Sequence, residues 1–244
     1  MVATESGTTW ACAEARVSDV RTNPAAIAEY YAHLVEFESV IQHFYCDSNH
    51  LVTVGIGHLV DREGAADSVG EALARGLATR GDVTFTLRGV GVGADEVVAD
   101  WKRVKAHGRT HPDVPGGRYG AVAHLRLTEH SVRNLLDDKI DEFAGQLYRN
   151  RPFMLEYDPH VAIALIDARY NPATIRLYEA TTPEIPKMWD ALNPRHKDFN
   201  PGKAVSLFES IWAHKRSVPM RYINRHYRRT QFMRQGLRAM GYEI

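Results

Sequence analysis

Hydrophobic and polar positions follow two different periods along this chain. From Pro24 onward, Ile27, Tyr31, Leu34, Glu38 and Ile41 recur in steps of three and four, a spacing that lines up one helical face. Asn23 is a good N-cap and Pro24 fits the first helical position; the helix is expected to end near residues 39 to 43. The pattern then shortens. Phe44-Tyr45-Cys46 and Leu51-Val52-Thr53-Val54 read as strands around the turn Asp47-Ser48-Asn49-His50, and Gly55 and Gly57 allow a bend or a close backbone approach.

The period changes again downstream. Val69 to Leu77 reads as a helix, Val83 to Leu87 as a strand, and Ala94 to Lys105 as an amphipathic helix carrying Val97, Val98, Trp101 and Val104. Thr128 is a plausible N-cap, after which Val132, Leu135, Leu136, Ile140, Phe143 and Leu147 keep helical spacing to about Arg149. HVAIALIDARYN at 160 to 171 is an apolar helix stopped by Pro172. Four prolines make 181 to 202 read as loops and short turns. Val205 to Lys215 and the basic stretch Met220 to Met240 read as the last two helices. Residues 1 to 22 read as a loosely ordered arm that Trp10 and Cys12 pin to the body. The fold class implied is α+β and mainly helical.

Within this pattern Glu38 occupies an apolar stripe, where a charge is uncommon, and Asp47 lies in a solvated turn. Cleaving a glycosidic bond by acid/base chemistry needs two carboxyl groups in contrasting environments, and these two residues offer that contrast. The Thr53 hydroxyl can help hold a water. Each residue also has a plainer reading: Glu38 as a buried partner of an arginine, Asp47 as a turn-former, Thr53 as a strand residue.

Composition narrows the alternatives. The 244 residues include 44% hydrophobic and 25% charged side chains with formal net charge +0, which gives no support to nucleic-acid or membrane attraction through bulk charge. No apolar run approaches membrane-spanning length. The N-terminal stretch lacks a signal-peptide core, so synthesis in the cytoplasm is expected. Cys12 and Cys46 do not form a disulfide framework. Cys46, with His43, His50 or His58 nearby, supports a rival reading as a cysteine nucleophile. His107 and His111 have ligand-like spacing, but Gly108 and Pro112 make the segment loop-like, and no metal or cofactor is expected. GVGVG at 89 to 93 lacks the Lys-Ser/Thr of a phosphate loop.

The pattern Glu38-x8-Asp47-x5-Thr53-Val-Gly-Ile-Gly-His58, with Tyr45 before the Asp, resembles the active-site stretch of phage-type lysozymes, the muramidases of glycoside hydrolase family 24. The resemblance extends over about residues 24 to 62 and 127 to 240. It takes in the long helix after Thr128 and the terminal Asn224-Arg225-x2-Arg228 and Arg234-x-Gly236. It does not reach the arm or the long segment at 63 to 127. One departure is His50, where the family has Gly; His tolerates positive φ better than most residues.

The resemblance implies a two-lobed lysozyme-like fold over residues 23 to 244. Residues 23 to 62 would carry the catalytic helix and hairpin, 63 to 127 an insertion in the small lobe, and 128 to 244 the helical lobe. It implies that Glu38 is the general acid and that Asp47, with Thr53, positions a water for inverting attack, while His58 is structural. It places Asn171 near the sugar cleft, with Arg225 approaching Glu38 and Arg228 one turn on. Asn171 reads equally well as a helix C-cap. The substrate would be peptidoglycan, cut between N-acetylmuramic acid and N-acetylglucosamine without a cofactor. Delivery to the wall would follow either a phage endolysin route or that of an antibacterial effector, whose partners would be an immunity protein and a secretion machine. A cysteine-dependent amidase and a catalytically silent peptidoglycan-binding module remain as alternatives.

Overall fold

The computed structural model describes residues 19–38, 40–170, 183–213 and 220–244. The fold is α+β and mainly helical, with two small three-stranded antiparallel sheets among the described residues. The chain divides into two compact units, one comprising Met1–Ala28 and Phe143–Ile244 and the other Glu29–Glu142. Both boundaries fall inside helices. Asn171, Pro172, Trp10 and Cys12 lie outside the described residues.

Helix α1 spans Pro24–Glu38. Its N-cap is Asn23, whose side chain accepts the Ala26 N–H at 3.0 Å. The buried stripe is Ala26, Tyr30, His33 and Leu34, one step off the Ile27/Tyr31 face expected from spacing. Tyr30 and Tyr31 are adjacent, about 100° apart around the helix, so pattern alone does not decide which one turns inward. Glu38 therefore flanks the stripe and is half-buried. Ile41 belongs to the following strand and not to the helix.

The strand-rich unit contains β1 (Ile41–Cys46), β2 (Val52–Gly55) and β3 (His58–Leu59) in spatial order. β1 and β2 pair antiparallel, with Tyr45 opposite Thr53 and an irregularity between Ile41 and Tyr45. Strand β1 starts three residues before the expected Phe44. The long segment after β3 is folded: α2 (Asp67–Ala78), β4 (Phe85–Leu87), β5 (Val90–Gly91), α3 (Ala94–Thr110), a 3-10 turn at Gly116–Ala121 and β6 (Arg126–Leu127). The second sheet has the order β5-β4-β6. Helix α3 buries Val97, Val98, Trp101 and Val104, the predicted face. It runs past the expected Lys105 and includes His107 and Gly108, which sequence reading had assigned to a loop. A Cβ on Gly108 would come within 2.3 Å of Cys46 Sγ; the glycine is there for close packing and does not break the helix.

Helix α4 (Glu129–Asn150) leaves this unit for the other. Thr128 caps it, its hydroxyl accepting the Ser131 N–H at 3.2 Å. The helical unit holds α5 (Pro159–Tyr170), α6 (Glu184–Leu192), α7 (Pro201–Ala213) and α8 (Met220–Ala239). α5 is buried continuously from Val161 to Ala168 and packs on α8. Helix α6 takes up 184–192 of the stretch expected as loops and short turns, while 193–200 are the turns expected there. Pro186 is its third residue, within the first turn, where a missing N–H leaves no intrahelical bond unmade. The end of the arm is also fixed: Val20 is buried and its N–H donates to the Tyr148 hydroxyl at 2.9 Å.

Candidate active site

The turn after β1 is built around Asp47. Its Oδ1 accepts the N–H groups of Asn49 at 2.8 Å and Leu51 at 3.0 Å, an Asx turn that closes the hairpin. Its own N–H donates to the Leu51 carbonyl at 3.0 Å. Oδ1 is thus occupied, while Oδ2 has no hydrogen-bond partner among the described residues. His50 completes the turn at φ 59°, the left-handed conformation that explains why a glycine would suit this position.

Thr53 lies across from Tyr45 on β2 and is buried. Its hydroxyl donates to the Leu51 carbonyl at 3.1 Å. With the hydrogen engaged there, the oxygen is left as an acceptor. Glu38, the last residue of α1, belongs to the same unit as Asp47 and Thr53. Tyr45 links them electrostatically. Burial, and then the charges of Glu38 and Asp47, hold its phenol well above the ordinary tyrosine range, so it stays protonated at any working pH.

The segment at 63 to 127 braces this stretch from α3 and the 3-10 turn. The ammonium of Lys105 on α3 pairs with buried Asp61 and donates to the His50 carbonyl at 3.3 Å. Asp61 also accepts the Val52 N–H at 3.3 Å. Trp101 donates its indole N–H to the Val60 carbonyl at 2.9 Å. Gly116 lets the 3-10 turn approach β1: a Cβ there would lie 2.7 Å from the Tyr45 ring and 3.1 Å from Ile41. Sequence reading placed no role on Lys105, Asp61 or Gly116. The one available signal was the density of glycines between 108 and 120.

The cysteine alternative draws little from this geometry. Cys46 is buried and its thiol faces the Val104 carbonyl at 3.8 Å. Burial raises its pKa, opposite to what a thiolate nucleophile needs. Of its three neighbouring histidines, His43 Nε2 is engaged with the Gly116 carbonyl at 3.3 Å, and His50 is exposed on the turn. His58 is pushed down to about 4 by burial and then by the Lys139 charge. His107 and His111 stack with ring centroids 4.2 Å apart. Among the described residues no three His, Cys, Asp or Glu side chains gather as a metal-ligand set.

In the helical unit, Arg225 is buried and clamps Asp167, with Nε to Oδ2 at 3.0 Å and Nη2 to Oδ1 at 2.6 Å. Arg229, one turn on, pairs with the same Oδ2 at 2.5 Å and donates to the Asp167 carbonyl at 2.9 Å. The residue that shares this cluster one turn beyond Arg225 is therefore Arg229, while Arg228 is exposed. Asp167 and Arg229 were missed in the sequence. The available signal was a lone acid in the apolar run 160 to 170 and an i, i+4 arginine pair on α8.

Compared with known proteins, the chain matches no family model, no curated protein and no solved structure.

Proposed function

We propose that this protein is a muramidase, hydrolysing the β-1,4 bond between N-acetylmuramic acid and N-acetylglucosamine of peptidoglycan with inversion. The observation that carries the reading is the Glu38/Asp47/Thr53 constellation: a carboxylate at a helix end, a second in an Asx turn with one oxygen left open, and a threonine oxygen available as an acceptor. Glu38 protonates the glycosidic oxygen. Asp47 Oδ2 and Thr53 Oγ1 are both acceptors, so a water between them directs its hydrogens to the protein and keeps its lone pairs for the anomeric carbon. Asp47 takes the proton as the bond to oxygen forms. Two carboxyl groups and a water suffice for this chemistry, and no redox or metal step enters it. The resemblance of the stretch to phage-type lysozymes supports the same assignment. The wall is reached either as an endolysin or as an antibacterial effector, and an immunity protein is the partner that the second route entails.

Digestion of purified peptidoglycan tests the reading. Wild type is expected to release muropeptides ending in reducing N-acetylmuramic acid, detected by mass spectrometry, and Glu38→Gln to release none. Freed amines with intact glycan would transfer the chemistry to Cys46, and binding without any product would leave a wall-binding module.

A further inference from the structure

Tyr45 has features that packing does not use. It is the penultimate residue of β1, two before Asp47 of the following turn, and it is close enough to both carboxylates, Glu38 and Asp47, to feel their charges. Thr53 is its direct partner across the β1/β2 pair, and directly opposed residues share a face of the sheet. Tyr45 and Thr53 thus form a polar pair on one face of the hairpin, next to the turn that carries Asp47. The ring is fixed from behind by Gly116, whose missing side chain leaves room for the ring edge. The hydroxyl is different: among the described residues it has no hydrogen-bond partner. A half-buried phenol with a fixed ring and a free end is a directed donor and acceptor.

We propose that Tyr45 is a substrate-contacting residue, its hydroxyl hydrogen-bonding a neutral hydroxyl or acetamido group of the sugar on which Glu38 and Asp47 act. This rests on the muramidase reading above. The chemistry of the neighbours selects the ligand group. The Asp47 carboxylate only accepts, and the Glu38 proton is committed to the glycosidic oxygen, so neither offers a sugar hydroxyl both a donor and an acceptor; a phenol provides both. The Asp47 charge that acts on Tyr45 also repels an anionic group, so the lactyl carboxylate of the muramyl residue and the stem-peptide carboxylates are expected to point away from it. The insertion then has a catalytic consequence: its 3-10 turn sets where this hydroxyl stands.

The test is Tyr45→Phe, which keeps the ring on Gly116 and removes one oxygen. Release of reducing ends from purified peptidoglycan gives kcat and KM, and a thermal scan reports folding. The expected result is an unchanged melting temperature with kcat/KM reduced about tenfold or more, the loss of one hydrogen bond of about 1.4 kcal/mol. Gly116→Ala, which must displace the Tyr45 ring, is expected to lower kcat/KM as well. Tyr45→Phe cleaving within about twofold of wild type overturns the role of the hydroxyl and leaves the muramidase standing, since a ring that only packs loses nothing in Phe. A wild type that cleaves no glycan overturns the muramidase reading itself, and the substrate contact with it.

Discussion

Removing Asp167 tests the helical unit at a buried cluster of three charged side chains. Its carboxylate is fully buried and takes three side-chain hydrogen bonds from two arginines that are themselves buried. Asp167→Ala leaves the Arg229 bond to the backbone carbonyl but removes the carboxylate that both guanidinium groups share. Breaking a buried pair from one side costs roughly 3–5 kcal/mol, because the surviving charge keeps its desolvation cost without its partner. For a chain of this size each kcal/mol lowers the melting temperature by about 2–4 °C, so a loss of about 4 kcal/mol corresponds to a drop of about 12 °C. Circular dichroism on heating reads it, with Asp167→Asn as the isosteric comparison. Asn preserves volume and one acceptor but carries no charge, and is expected to fall between the wild type and Ala. A loss below about 1 kcal/mol in Asp167→Ala would refute the reasoning, showing that the arginines find water or other partners at little cost.

Three further outcomes follow from the strand-rich unit. Gly108→Ala forces a Cβ to within 2.3 Å of Cys46 Sγ and is expected to destabilise by about 1–3 kcal/mol through overpacking, read by urea denaturation, while Gly81→Ala, with nothing near its Cβ position, shows no such clash. His58 has its folded pKa depressed to about 4 from 6.5. The unfolded chain therefore binds the extra proton first, and stability falls as pH is lowered through that window. His58→Gln is expected to flatten this part of the stability–pH curve, and an unchanged slope would remove His58 as its source. Relief of the φ 59° conformation at His50 makes His50→Gly neutral to stabilising by up to about 1 kcal/mol, whereas His50→Val is expected to destabilise, by thermal scans of both variants.

Much of this protein is legible in one dimension. The spacing of apolar residues located α1, the β1/β2 hairpin, α3, α4, α5 and α8, because helix and strand periods are local properties of the chain. Asn23 and Thr128 announced their helix starts for the same reason, since a cap acts on backbone groups within a few residues. The candidate site was legible because Glu38, Asp47 and Thr53 fall within a short stretch of sequence.

What only the tertiary structure decided are the contacts between distant positions. The apolar spacing pointed to Tyr31 as the inward residue of α1, and the packing around the helix turned Tyr30 in instead. Gly108 and Pro186 read as helix breakers, yet both belong to helices, one because a cysteine 62 positions earlier needs the room, the other because it stands in a first turn. Arg225 was visible as one of many arginines on α8, but its pairing with Asp167, 58 positions away, was not. Periodicity records which way a side chain faces along its own element. Which partner meets it there depends on loops and packing that bring remote segments together, and no local pattern carries that information.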